Sequence, residues 1–260
     1  RGDVLAAHPR QSGEVDMIPT WLHDLSIAYL LMGALCAVVV TLDVARHPQH
    51  MWIMNVVWPV TALFGTVWIV WQYLTYGRLA THARMHAAMQ HGEEPPNKRD
   101  TPFPIMVANG ALHCGSGCTL GDIVAEWLVF AAPAIAVAFG YQSLFGERIF
   151  AVWVVDYIFA YAFGIVFQYF TIAPMRGLSF WPGIAAAIKA DTLSLTAWQV
   201  GMYGFMAFAY FCVFRSVIGL ARRVETVGFG FMRQFALTFG LGSALLWNGL
   251  RVTQGLKERW

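Results

Sequence analysis

Long apolar runs, broken by short polar stretches, fill nearly the whole chain. A helix needs about 20 apolar residues to cross a hydrocarbon core of about 30 Å. By that measure six helices are predicted, over about Trp21–Val44, Met51–Tyr76, Cys118–Phe139, Ile149–Ile172, Ile184–Phe214 and Thr226–Leu250. The expected fold class is all-α, an integral membrane bundle of about six transmembrane helices with the lipid bilayer as its surroundings. Residues 1–20 read as a flexible N-terminal tail, and 21–260 as a single transmembrane domain.

The polar breaks refine this picture. Arg46-His47-Pro48-Gln49-His50 is short enough to join the first two helices in a tight hairpin, and Pro59 predicts a kink in the second. Gly77 to Pro104, rich in His, Met and charge, cannot remain in lipid and forms the main extramembrane loop. Pro102-Phe103-Pro104 then breaks the chain before Ile105 to Leu112, a run too short to span and readable as a re-entrant or interfacial piece. Arg78, Arg84, Lys98, Arg99, Arg176, Arg251, Lys257 and Arg259 fall on one side, against Arg46, Arg148, Arg215, Arg222 and Arg223 on the other. The positive-inside rule then places both termini in the cytoplasm, although the Arg222-Arg223 pair opposes that orientation.

Composition sharpens the class. The chain is 58% hydrophobic and only 12% charged, against about 25% charged in an ordinary soluble domain. A net charge of +2, with basic residues set between apolar runs, excludes nucleic acid as a partner. Four cysteines do not make a disulfide framework, since Cys36 and Cys212 lie in apolar runs and Cys114 and Cys118 are one helical turn apart.

The chemistry concentrates in His113-Cys114-Gly115-Ser116-Gly117-Cys118-Thr119-Leu120-Gly121-Asp122-Ile123-Val124-Ala125-Glu126. Ionisable groups at bilayer depth cost roughly 2.5–3.5 kcal/mol each, so they are paired, wet or neutralised, and they often mark an ion or proton path. Cys114, Cys118, Asp122 and Glu126 recur at four-residue intervals and share one drifting helix face if the segment is helical. The glycines also permit a loop through the cysteines, with a helix starting near Cys118 and its amides open. Thiolates and imidazole suit copper(I), zinc or iron-sulfur chemistry, and carboxylates suit harder ions or proton relays. The spacing matches neither a paired CxxC zinc site nor a thioredoxin-like dithiol. The competing reading gives the glycines to helix packing and the acids to neighbouring polar partners.

Other helices carry polar groups that can face this row. Asp156 and Gln168 lie in the fourth; Asp191, Gln199, Met202 and Met206 share a face of the fifth. Lys189 with Asp191 also reads as a headgroup-level charge pair. His47, His50, Met51 and Met54 flank the first hairpin, and the long loop holds His82, Met85, His86, Met89 and His91. Imidazole and thioether together favour copper(I) over magnesium or calcium. The methionines read equally as core filler, and the loop residues as an exposed helix face.

The strings Met54-Asn55-Val56-Val57-Trp58-Pro59-Val60-Thr61-Ala62-Leu63, His113 to Asp122 and Lys189-Ala190-Asp191-Thr192-Leu193-Ser194-Leu195-Thr196-Ala197 resemble a bacterial family of polytopic membrane proteins described only as a domain of unknown function. The resemblance runs from about Trp21 to the end, and the HCGSGCTLGD string is its most specific part. It implies a bacterial cytoplasmic (inner) membrane location. Some relatives are labelled copper oxidases, a label that concerns a soluble module absent here and supports copper by association alone.

The function expected is binding and translocation of a soft metal ion, copper first, with zinc or another metal second. His113, Cys114 and Cys118 capture the ion; Asp122, Glu126, Asp156, Gln168, Asp191, Gln199, Met202 and Met206 line an ion or proton pathway; His47, His50, Met51 and Met54 relay at one end. No P-loop is present, so transport is passive, ion-coupled or driven by a partner. Expected partners are a copper-handling protein, other membrane-complex subunits or a second copy of the chain. Two other classes stand beside this one: a structural or accessory subunit of a larger membrane complex, and a membrane thiol enzyme acting on quinone or a sulfur compound with Cys118 at a helix start. An enzyme is the less favoured class.

Overall fold

The computed structural model describes residues 19–214 and 227–253. Residues 1–18 of the expected tail, with Arg215, Arg222, Arg223, Lys257 and Arg259, lie outside the described residues. Within them the chain is all-α, with no strand and two isolated bridges. In chain order the helices are α1 (Thr20–Arg46), α2 (Met54–Thr75), α3 (His82–His91), α4 (Pro96–Arg99), α5 (Phe103–Ala131), α6 (Ala134–Ala138), α7 (Arg148–Arg176), α8 (Phe180–Phe208) and α9 (Val227–Thr253). A 3₁₀ turn over Gly77–Ala80 follows α2, and a π-helical turn over Ala209–Phe214 follows α8. Three of these helices, α1, α2 and α7, are long and apolar enough to cross a membrane.

α2 is not one rod. Thr66 has φ 44° and ψ −130°, which no helix tolerates, and the chain reverses there. The two arms, 54–65 and 67–75, lie side by side: the Trp58 and Tyr73 rings are 5.4 Å apart, whereas 15 residues of straight helix would separate them by about 22 Å. Residues before and after α2 therefore meet. His50 N–H donates to Ala80 O at 2.9 Å and His82 N–H to Pro48 O at 2.8 Å, beside a bridge between Gln49 and Thr81. At the tip, Leu63 O accepts a hydrogen bond from Gln234 Nε2 of α9 at 2.9 Å, and Phe64 packs edge-on against Trp198. The segment that turns back on itself is α2, whereas Ile105–Leu112 forms the first turns of α5. The reversal falls at Thr66, not at the expected Pro59 kink.

This geometry also changes the orientation expected from charge. Arg46 ends α1 and Arg78 follows α2, yet Arg78 bonds Asp43 of α1, so both arginines sit at one end of the bundle. Segment 77–104 caps that end. α5 leaves the cap and α7 returns antiparallel to it, with His113 beside Thr171 and Gly121 beside Ala160. α8 runs antiparallel to α7, and α9 antiparallel to α8, through Ser243 Oγ to Ala197 O at 2.7 Å and Asn248 Nδ2 to Ser194 Oγ at 2.8 Å. The first residue of α1 and the last of α9 thus lie at opposite ends of the bundle.

α5 passes helically through Gly115, Gly117 and Gly121 although each glycine costs about 0.8–1 kcal/mol of helix propensity. Close packing offsets that cost. A methyl group at Gly117 would lie 2.8 Å from Gly164 N, and one at Gly121 would lie 2.6 Å from Ala160 Cα, so α5 and α7 approach backbone to backbone. Gly115 seats the Trp198 ring in the same way, with 2.5 Å to the nearest ring carbon.

Candidate functional site

Because α5 is continuous, the row Cys114, Cys118, Asp122, Glu126 is a stripe on one helix, about 18 Å long. Its two halves meet different partners. The cysteine half meets α7, α8 and α9. Cys114 Sγ lies 2.9 Å from Asp191 Oδ1 and 3.2 Å from Ser194 Oγ, and all three residues are fully buried. Gln168 Nε2 donates to the same Asp191 oxygen at 3.4 Å and reaches Cys114 Sγ at 3.9 Å, while Asn248 holds Ser194. One S–H cannot serve two acceptors; the carboxylate is the better one, which leaves the Ser194 hydroxyl hydrogen to point at sulfur. Cys118 lies one turn further along, also fully buried, in a cluster that includes Met202 and Met206.

The acidic half is an ion cluster. Arg233 of α9 places Nε 3.1 Å from Asp122 Oδ2 and an Nη 2.5 Å from Glu126 Oε1. Asp156 of α7 accepts a hydrogen bond from Tyr203 O–H of α8 at 2.8 Å through Oδ2. Asp156 Oδ1, Gln168 Oε1 and both amide atoms of Gln199 are buried without a hydrogen-bond partner among the described residues. Such atoms carry a desolvation cost of about 1–3 kcal/mol each unless water or an ion meets them.

At the capped end a cavity of about 280 Å³ opens between the roots of the α2 hairpin, the cap and α5. His50, Met51, Met54 and His113 are among its lining residues, joined by Met85 and Met175. His47 is not; it faces Asp43 and Arg78. The floor residue His113 precedes Cys114, so the cavity and the thiol node adjoin along α5.

The structure thus brings Cys114, Gln168 and Asp191 into one cluster, and Asp122 and Glu126 into another with Arg233. The packing role of the glycines and the pairing of the acids, weighed above as the competing reading, are both realised. Asp191 is fully buried against Cys114 while Lys189 is exposed, so the headgroup-level pair is not formed. Cys118 is fifteen residues into α5, not at a helix start, which removes the geometry of the thiol-nucleophile reading. Among the described residues no three His, Cys, Asp or Glu side chains converge in a way that could hold a metal ion. Sequence reasoning missed Arg233, Tyr203 and Asn248: single polar residues in apolar runs, for which an intramembrane charge or amide was the available signal.

Neither the curated proteins nor the solved structures hold a match to this chain. The model of one family matches residues 105–257, the stretch that supplies every member of the thiol node and of the Arg233 cluster, and the chain belongs to that family, described as a domain of unknown function, DUF4396.

Proposed function

We propose that the chain is an integral protein of a bacterial cytoplasmic membrane that binds a soft metal ion, copper(I) before zinc, at its buried thiols and passes it through the bundle. In this reading α1, α5, α7, α8 and α9 cross the bilayer and α2 dips in and returns. The observation that carries the proposal is the thiol node: a buried thiol in contact with a carboxylate, an amide and a hydroxyl at the centre of an apolar bundle.

A soft ion is bound by thiolate, so each ligating cysteine must lose a proton. Asp191, at 2.9 Å, is placed to receive the proton of Cys114. Two thiols one turn apart supply two soft donors, and the Met202 and Met206 thioethers belong to the same cluster. The partnerless oxygens of Gln168 and Asp156 offer stations further along. His50, Met51, Met54 and His113 on the cavity wall form the outer relay. Arg233, held between Asp122 and Glu126, ties up both carboxylates of the row at the other end. A re-entrant segment fits this role, because interrupted helices at membrane depth are tolerated where protein or a wet cavity covers them.

The test is elemental analysis of the protein purified without chelators, alone and after copper(I) loading, beside the Cys114→Ser, Cys118→Ser variant. About one soft metal ion per chain, lost in the variant, is the expected result. Metal retained in the variant removes the thiols from the site; no metal in either sample removes the reading and turns attention to an accessory subunit, which should co-purify with unlike chains.

A further inference from the structure

Three of the chain's eight histidines stand in one row on the surface of the capped end. The backbone builds the row. The bridge between Gln49 and Thr81 turns those two side chains inward, at 4% and 6% exposed, so the next residue of each segment, His50 and His82, turns outward. The bonds from His50 N–H to Ala80 O and from His82 N–H to Pro48 O hold the two segments in that register. His82 also opens α3, and His86 lies one turn further along the same side. The ring centres of His50 and His82 are 5.8 Å apart, and those of His82 and His86 are 6.0 Å apart.

Imidazoles that share one tetrahedral ion have ring centres about 5 Å apart, given a metal–nitrogen bond of about 2.0–2.1 Å. Both pairs stand close to that spacing. The His82 and His86 rings lie 13° from parallel, so one must turn to aim a nitrogen at a shared ion; both side chains are exposed, where a change of rotamer costs little. No three ligands converge among the described residues, so an ion takes two imidazoles at a time, and His82 belongs to both pairs. Imidazole suits zinc, copper(II) and nickel(II), whereas magnesium and calcium call for oxygen ligands. Two histidines at i, i+4 on one helix face are an arrangement that zinc proteins use.

We propose that His82, paired with either His86 or His50, binds a divalent ion of this class at the surface, with water in the rest of its shell. The site is separate from the buried thiols. Its donors are neutral nitrogens, it is open to solvent, and it lies wholly before residue 105, outside the stretch that defines the family.

The probe is zinc(II), titrated onto the full chain without a polyhistidine tag, with binding read by competition with a zinc-sensitive dye. In the Cys114→Ser, Cys118→Ser variant one ion per chain is expected, an outcome that does not depend on metal at the thiols. In that background His82→Gln leaves no pair and should weaken binding at least about ten-fold, because a second imidazole held beside the first acts at high effective concentration. His86→Gln and His50→Gln each leave one pair and should weaken it by only about two- to five-fold, while the two together should match His82→Gln. The unaltered chain gives a second readout. Zinc should slow modification of His82 and His86 by diethyl pyrocarbonate, followed by mass spectrometry, while His91, exposed on the opposite side of α3, reacts at its usual rate. Undiminished binding in His82→Gln, equal losses in His82→Gln and His86→Gln, or histidines that zinc leaves unprotected would overturn the proposal.

Discussion

Arg233 is the side chain whose loss the bundle should tolerate least. It is 17% exposed and sits against two carboxylates, themselves 11% and 30% exposed. Removing one member of a buried ion cluster leaves uncompensated charge and costs about 3–5 kcal/mol, whereas replacing the whole cluster with neutral groups is often close to neutral. Arg233→Met is therefore expected to lower the melting temperature in detergent sharply, and adding Asp122→Asn and Glu126→Gln to it should restore most of the loss. Melting curves that coincide for all three proteins would show the cluster contributes nothing. The two acids were legible in the sequence because they interrupt an apolar run at helical spacing. Their partner was not, since a lone arginine on a different helix carries no sign of which acid it will meet. The same holds for Cys114 and Asp191: the residues were identifiable as costly at depth, but their contact depends on how α5 and α8 are brought together.

α5 and α7 depend on small residues more than on propensity. With Gly121 against Ala160 and Gly117 against Gly164, an added side chain must push the helices apart, and overpacking of this kind costs about 1–3 kcal/mol. Gly121→Val should lower thermal stability by that amount, while Gly242→Ala, whose methyl meets nothing within 4 Å, should leave it unchanged or slightly improved. Equal melting of Gly121→Val and the parent chain would mean the two helices do not hold the observed approach. Four of the six predicted runs became long helices with ends displaced by a few residues, those of α1, α7, α8 and α9, because a sustained apolar run reports the helix directly. α5 is the exception in extent: the prolines before Ile105 and the glycines around the cysteines suggested a break, yet Pro104 falls in the first turn, where proline is tolerated, and close packing carries the helix through the glycines. The reversal in α2 left little trace. Gly65 precedes it, but Thr66 itself is β-branched, a residue type that disfavours the positive φ it adopts.

Whether the chain crosses the bilayer at α2 decides the topology of everything after it. In a Cys212→Ser background, Arg46→Cys, His91→Cys and Ser143→Cys place single exposed thiols before α2, in the cap and beyond α5. A re-entrant α2 predicts that a membrane-impermeant maleimide labels Arg46→Cys and His91→Cys from one side and Ser143→Cys from the other. Labelling of Arg46→Cys and His91→Cys from opposite sides would restore a spanning α2. The positive-inside comparison depends on the same point: a count of arginines assumes that every apolar run of sufficient length is a crossing, and α2 has the length of a span but turns back at Thr66.

The hydrogen bond from Gln234 to Leu63 joins an early segment to the last helix of the chain. During synthesis residues 54–75 emerge long before α9. The bond at the hairpin tip therefore closes only after the final helix has been made, later than the root contacts around Gln49 and Thr81. A ribosome-bound chain that ends before α9 lacks both that bond and Arg233, and so carries Asp122 and Glu126 uncompensated until the last helix arrives.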